Sequence, residues 1–395
     1  MSQNYIQSLP QAFEVIKQMN LTPGWDSDYR FAARNALVRI LEDRMEDRLD
    51  RYLVYMGRSL PDRRNGYFSR HLLTELGDIE LDVPRTRLRS AVEVVRAYAR
   101  RVDQVDRMIL ACFVLGLSTR KVAHALMPVL GEAVSAATVS RVAKILDIAV
   151  EAFHRRPLTK SYRFLVFDGV VLKRRTGMGS VKRIILVALG ITPEGKKEII
   201  DFRIAHAESQ AAWEVFLSDL YRRGLRGKEL EMIITDGGKG LLAALPFIYP
   251  HIPLQRCWVH KTGNVMNHVR KRDWRVVKKD LHRISYAKGI REAQSALKRF
   301  YRKWNSLYPK AVVSLKNNEE ELLAFFQIKD ASLWPRIRTT NAIERRFREV
   351  RRRTRPMGVF SDRTSMERIL YAVFAYENLK EKTWTPFLTE VTQNS

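Results

Sequence analysis

Between Ser161 and His260 the chain passes through five apolar, β-rich runs in an order that leaves few folds open. RFLVFDGVVLKRR, KRIILVALGI and KEIIDFRIA come first, with Thr192-Pro193-Glu194-Gly195 as a turn between the second and third. A helical stretch follows near Gln210–Arg223. Then come the short run EMIITDGG, a helix over Lys239–Leu245 and the run PLQRCWV. The order β-β-β-α-β-α-β predicts a mixed sheet. Three strands pair antiparallel through tight turns, and two parallel strands are added through helical crossovers. The expected fold class is α/β.

Two of these runs stop in the same way. Asp168 follows Phe164–Phe167 and precedes a glycine, and Asp236 follows Met232–Thr235 and precedes two. If the first and fourth strands are parallel neighbours, the two acids lie side by side in the crevice at the strand ends. Carboxylates so placed raise each other's pKa unless a cation sits between them. Mg²⁺ suits such a pair, because it takes one or two carboxylates together with phosphate oxygens and water. A third acid, Glu344, heads the run TTNAIERRFREVRRRTR, where seven arginines fall within eleven residues. On a helix beginning near Asn341, Arg348, Arg351, Arg352 and Arg355 follow Glu344 along one face, with Arg345 beside it. An acid that holds metal at a scissile phosphate, ahead of arginines that grip the flanking backbone, fits phosphodiester chemistry with two metal ions. Each acid alone also fits a turn residue, a helix cap or an ion pair. Asp201, Asp219 and Glu349 are weaker candidates, since none follows the strand-to-glycine pattern or opens a basic helix.

The charge balance names the partner class. Among 395 residues, 70 Lys+Arg against 43 Asp+Glu give a formal net charge of +27, which favours a polyanion. The two cysteines, Cys112 and Cys257, exclude a disulfide framework and fit a reducing compartment. No signal pattern opens the chain and no run of 18 apolar residues exists, so no membrane span is expected. The expectation is a cytoplasmic, nucleoid-associated protein, with nucleic acid as the first candidate partner and an anionic membrane surface as the second.

The flanks divide into further segments. Residues 1–60 read as an N-terminal helical region, with apolar residues at helical spacing over Asp28–Met56 and a possible oligomer interface there. Residues 61–100 read as a small β-hairpin, Tyr67–Glu75 with Ile79–Pro84, with turn signals at Asn65-Gly66 and Gly77-Asp78. Residues 101–155 have the shape of a helix-turn-helix. Ser118 and Ser135 stand as caps, Gly131 lies in the connection, and Arg141 and Lys144 lie on the second helix where bases and phosphates are read. The sheet segment then spans 156–262, a helical insertion 263–335, and terminal helices 336–395, with a break marked at Trp334-Pro335. Cys257-Trp258-Val259-His260 could be half a zinc site, but convincing further ligands are lacking. His260 next to the acidic pair instead suits contact with a phosphate or orientation of a metal ligand.

FDGVVLKRR, ITDGGKGLLAAL, QRCWVHKTGNV and TTNAIERRFREVRRRTRPMGVF, in this order, resemble the Mutator-like family of bacterial insertion-sequence transposases. RRNGYFSRHLLTELGDIELDVPRTR also resembles that family's N-terminal segment. The likeness runs from about Asn35 to about Leu379. It implies an RNase H-like core with an all-helical insertion and a DDE triad at Asp168, Asp236 and Glu344. It implies two Mg²⁺ ions, with Mn²⁺ as a substitute, and active-site support from Cys257, His260 and Asn341. Lys173 and Arg174 join the arginines of the Glu344 helix as expected DNA contacts. The implied reaction frees a 3′-OH at the element's terminal inverted repeat in double-stranded DNA and joins it to target DNA, in a homo-oligomer of at least two chains. One departure is Gly263 before Asn264, where family members often carry Arg. Without the motif set, the residues would also fit a non-catalytic DNA-binding regulator, or a nuclease or resolvase on the same core.

Overall fold

The computed structural model describes residues 25–56, 62–88, 100–130, 134–176, 179–355, 360 and 362–380. They fall into two compact units, divided between Ile145 and Leu146.

The first unit opens with the 32-residue helix α1 (Trp25–Met56). The antiparallel hairpin of β1 (Arg64–Thr74) and β2 (Gly77–Thr86) follows. Leu37, Val38, Leu41 and Met45 recur at helical spacing on α1, and they pack on Leu72, Ile79, Leu81 and Val83 from the inward face of the hairpin. The two glycine signals play different parts. Gly77 closes the turn with φ +111, whereas Gly66, at φ +72, sits in a β-bulge where the register shifts between Arg64 and Tyr67. Three helices complete the unit: α2 (Asp103–Val114), α3 (Thr119–Leu130) and α4 (Ala136–Ala143). Ser118 Oγ accepts from Lys121 N at 3.3 Å and Ser135 Oγ from Thr138 N at 3.1 Å, the two caps expected. Val105, Ile109, Val122, Val139 and Val142 are buried, while Ser140, Arg141 and Lys144 are exposed. Gly131 lies outside the described residues.

The second unit begins with α5 (Leu146–Arg155) and holds one five-stranded sheet. Its strands are β3 (Phe164–Thr176), β4 (Gly179–Ile191), β5 (Lys197–Ala205), β6 (Met232–Thr235) and β7 (Leu254–Arg256), in the order β5-β4-β3-β6-β7. β3, β4 and β5 pair antiparallel; β6 and β7 join parallel to β3. This is the expected mixed sheet. One face carries α6 (Gln210–Arg222) and α7 (Lys239–Ile248), whose Trp213, Phe216, Leu217, Leu241 and Leu245 bury Leu165, Phe167, Leu186 and Ile233. Helix α5, expected to belong with the helices before it, packs here instead: Phe153 meets Phe202 at 6.1 Å between centroids and Tyr371 at 5.3 Å.

From Trp258 the chain is helical: α8 (Trp258–Met266), α9 (Trp274–Ser285), α10 (Ile290–Trp304), α11 (Pro309–Lys316) and α12 (Glu319–Leu323). Buried polar groups tie this insertion to the sheet. Trp258 Nε1 donates to Leu322 O at 2.8 Å, and Gln255 Oε1 on β7 accepts from Phe325 N at 2.7 Å. Trp334-Pro335 starts a short helix, α13 (Trp334–Ile337), rather than a break, because proline is tolerated in a first helical turn. Helices α14 (Asn341–Thr354) and α15 (Arg363–Lys380) follow; α14 packs on β3 and α15 on β5. Asn378 of α15 pairs with both backbone groups of Ile199, donating to its O at 3.0 Å and accepting from its N at 2.7 Å.

Candidate active site

Register places the acids. Phe167 lies opposite Thr235, and Thr235 opposite Arg256, so Asp168 on β3 is followed across the sheet by the residues just past the ends of β6 and β7, Asp236 and Cys257. Side chains alternate along a strand. Leu165, Phe167 and Ile233 face α6 and α7. Asp168 therefore faces the other way, towards the side where α14 packs on β3, while Asp236 lies just past the end of β6. Unlike the sequence expectation, Asp168 does not end its strand: β3 continues to Thr176 because β4 stays paired with it throughout. The crevice arises because β6 and β7 stop, not because β3 does.

Asp168 is buried, at 7% exposure, and its Oδ1 accepts from Gly169 N at 2.7 Å. Burial and the charge of Asp236 push its carboxyl up to about 7, against the pull of the Gly169 N–H and of His260. Asp236 Oδ1 accepts from Gly238 N at 2.9 Å and from the Thr235 hydroxyl at 3.2 Å, which fixes the carboxylate beyond the end of β6. Gly237, at φ +93, makes the turn. Arg256 of β7 backs this turn, donating to Gly237 O at 3.3 Å and pairing with Glu321 at 3.0 Å.

Glu344 arrives on the first turn of α14 and reaches the pair through His260. His260 Nε2 lies 3.7 Å from Glu344 Oε1. The Thr340 hydroxyl lies at the hub of the group: 2.9 Å from Glu344 Oε1, 3.3 Å from Cys257 Sγ and 3.4 Å from His260 Nδ1. It has one proton, so it donates to one of them at a time. Thr340 N also donates to Cys257 Sγ at 3.3 Å. Burial raises the Cys257 thiol, but bonds from His260 and Thr340 outweigh it and lower its pKa overall. The bond to Cys257 lifts His260 to about 9 against the effect of burial, helped by Asp168 and Glu344. Cys257 therefore does more than fill space. Among the described residues, the set whose donor atoms fall within 4.8 Å of one another is Cys257, His260 and Glu344, rather than the three acids. His260 sits on α8, not at a strand end, and Asn341 is exposed at the start of α14.

Sequence reading missed two residues. Thr340 stood in view within TTNAIE, but nothing marked its hydroxyl as the link between C-x-x-H and Glu344. Glu208, in the loop between β5 and α6, lies beside Asp236; burial and that neighbouring charge raise its pKa. Its signal was weak, a lone acid next to Ser209, which caps α6.

A family model described as "Transposase, Mutator family" matches residues 6–384. The chain belongs to that family. It is 32% identical over 354 residues to the transposase for insertion sequence element IS905 of Lactococcus lactis, covering 88% of this chain and 89% of that one. It is 30% identical over 358 residues to the transposase for ISRM5 of Rhizobium meliloti, covering 89% and 88%. It is 32% identical over 350 residues to the transposase for IS256 in transposon Tn4001 of Staphylococcus aureus, covering 86% and 88%. As a Mutator-family transposase it is a DNA-processing enzyme, and no described helix is long and apolar enough to cross a membrane.

The arginine helix of this transposase splits by face. Arg345, Arg348, Arg351, Arg352 and Arg355 are exposed, as are Lys173 of β3 and Arg141 and Lys144 of the first unit. Arg346 and Arg353 point inward, to Glu377 at 3.1 Å and Glu349 at 2.6 Å. The Arg174 side chain lies outside the described residues. Gly263 is exposed on α8, and nothing stands within 4 Å of where its Cβ would be.

Proposed function

We propose that this Mutator-family transposase is of the DDE type, acting through Asp168, Asp236 and Glu344 on an RNase H-like core. The observation that carries the reading is Asp168 on β3 level with Asp236 just past the end of the parallel β6, beside the helix that presents Glu344 and an outward stripe of arginines. The donor set fits a hard divalent cation. Asp168 is a carboxylate that burial, and after it the charge of Asp236, pushes up to about 7, a situation that Mg²⁺ relieves. Asp168, Asp236 and Glu344 would hold it, with Mn²⁺ as a substitute, and when bound it supplies charge stabilisation at the attacked phosphate.

The chain's own groups do the rest. Arg345, Arg348, Arg351, Arg352 and Arg355 bind the DNA backbone on either side of the phosphate. His260, protonated below about 9, offers an N–H beside Glu344 and the phosphate oxygens. Cys257 and Thr340 hold the imidazole in place. Water hydrolyses a phosphodiester at the element's terminal repeat and frees a 3′-OH; that hydroxyl then attacks a phosphodiester of target DNA and a 3′-OH of the target strand leaves, so no protein–DNA covalent intermediate is needed. Arg141 on α4 and Lys144 at its C-terminal cap read the terminal repeat. The chain works as a homo-oligomer, at least a dimer, because two ends must be held together, in the nucleoid of a bacterial cytoplasm. The test is incubation of the full-length protein with labelled DNA carrying its element's end, in Mg²⁺ or EDTA, beside Asp236→Asn. Metal-dependent nicking and joining, both lost in the variant, is the expected result. Nicking without joining would point to a nuclease, and cleavage that persists in Asp236→Asn would sink the assignment.

A further inference from the structure

Helix α9 of the insertion turns a face to solvent that is both basic and aromatic. Val277, Leu281 and Ile284 are buried, so Arg275, Lys278, Lys279 and His282 lie on the other side of the helix, all exposed. Tyr286, one turn beyond His282, is 56% exposed. The helix's own Asp280 does not neutralise this stripe. Its carboxylate accepts from Lys303 Nζ at 2.8 Å, Trp304 Nε1 at 3.0 Å and Arg283 Nη1 at 3.2 Å. Among the described residues, the ion pairs of this region are made by Arg272, Arg283 and Lys303, and none reaches Arg275, Lys278 or Lys279.

The two rings form a stack with a buried cation at its root. His282 and Tyr286 lie 3.6 Å apart between centroids and 13° from parallel. The Arg338 guanidinium carbon lies 3.5 Å from the Tyr286 centroid. Two flat groups this close to one ring cannot share a face of it. The order is therefore Arg338, Tyr286, His282, and the exposed imidazole is the free end. Arg338 is 8% exposed, and its Nη1 donates to the O of Ser285, the last residue of α9, at 2.9 Å. The Arg338 carbonyl accepts from Trp258 N at 3.0 Å, and Thr340 follows two residues later. The stack is thus rooted in the segment that brings Thr340 to Cys257, and it opens outward beside the basic stripe. A flat stack supported from below is a platform for another flat π-group. A paired base has its faces covered within the duplex, so the group that fits is an unpaired base. The cations along the same face match the phosphates that flank such a base.

We propose that the outer face of α9 binds an unpaired nucleotide of single-stranded DNA, with its base stacked on His282 and its flanking phosphates held by Arg275, Lys278 and Lys279. This goes beyond the metal-dependent chemistry proposed above and does not depend on it. The test compares binding of a labelled single-stranded oligothymidylate with binding of a duplex of equal length, by fluorescence anisotropy in EDTA, using the full-length protein. A second readout is the emission of 2-aminopurine in place of one thymine, which stacking quenches. The double variant His282→Ala with Tyr286→Ala is expected to weaken single-strand binding about 5-fold to 150-fold, the range of one base–aromatic stack, with little effect on the duplex and loss of the quenching. His282→Phe keeps a flat ring and is expected to retain both signals. Far-UV circular dichroism verifies folding. Should the double variant not fold, His282→Asp, a change at an exposed position, takes its place. Asp236→Asn is expected to bind both DNAs as the wild type does in EDTA, so failure of the DDE assignment would leave this result standing. Single-strand affinity unchanged in the folded variant, or single-strand and duplex affinity falling together, would overturn the base platform.

Discussion

Asp168→Asn should make the metal-free protein more stable, and the size of the gain follows from the surroundings of Asp168. Its carboxyl is moved from 3.8 to about 7 by burial and by Asp236. A change of that size disfavours the ionised folded form by roughly 4 kcal/mol relative to the unfolded chain. The folded state holds the proton more tightly than the unfolded one. The stability it confers is therefore full below about pH 4 and lost as pH rises through about 7. Asn keeps an oxygen for the Gly169 N–H and carries no charge. It also removes one of the charges supporting protonated His260, which sits at about 9, so the net gain is smaller. We expect roughly 2 kcal/mol at pH 8 in EDTA, a rise in Tm of roughly 4–8 °C for a unit of this size. At pH 5 the wild-type carboxyl is protonated and the gap should close to under about 1 kcal/mol. Saturating Mg²⁺ at pH 8 should stabilise the wild type but not the variant. Differential scanning calorimetry from pH 5 to 8.5 reads all three. An Asn variant no more stable than wild type at pH 8, or a gap indifferent to acidification, would refute the electrostatic account.

Replacing Arg351 and Arg352 together by Ala should weaken DNA binding across sequences and lower the slope of log K against log salt by up to about 1.8; an unchanged slope in fluorescence anisotropy would remove this face from the DNA interface. Arg346→Ala should leave that slope alone yet cost about 3 kcal/mol, because it takes a 3.1 Å partner from buried Glu377. Chemical denaturation checks it, and a neutral result would mean the inward pair is not structural. Cys257→Ser should let the His260 pKa fall from about 9 towards 6.5, since the Cys257 bond is its largest support. A histidine titration by NMR that stays near 9 would show that Asp168 and Glu344 suffice.

The sheet was legible because its signals are local. Apolar runs of strand length, turn residues at Thr192–Gly195 and helical spacing between the later runs predict each strand, and crossovers through α6 and α7 make the last two parallel. The nearness of Asp168 and Asp236 was conditional on the first and fourth strands being parallel neighbours, and β3 and β6 pair in that way. What could not be read depends on partners distant in sequence. Asp168 reads as a strand end, but the β3–β4 pairing that carries the strand past it becomes visible only once the hairpin is formed. Glu208 carries no local pattern; its place is set by how closely Gly238 and Gly240 admit the loop. Helix α5 has a periodicity that fits either unit, and only the aromatic contacts of Phe153 show which core it joins.

Repulsion within a dense arginine run works against a helix unless anions offset it. The structure divides that burden. Glu344 lies in the first turn of α14 and Arg351, Arg352 and Arg353 in the last, each at the end of the helix dipole that favours its charge. Glu349 takes Arg353 at 2.6 Å, and Glu377 takes Arg346 at 3.1 Å. The one further described ion pair made by an arginine of the run is the 3.9 Å contact of Arg352 with Glu349, on a side chain 79% exposed and so worth little. The helix therefore stands on internal terms, and the arginines left over are those on the Glu344 face. Burying Arg346 and Arg353 fixes the rotation of α14 against the sheet. With the rotation fixed, the acid turns towards Asp168 and the free arginines turn outward, so the same packing that stabilises the helix also aims it.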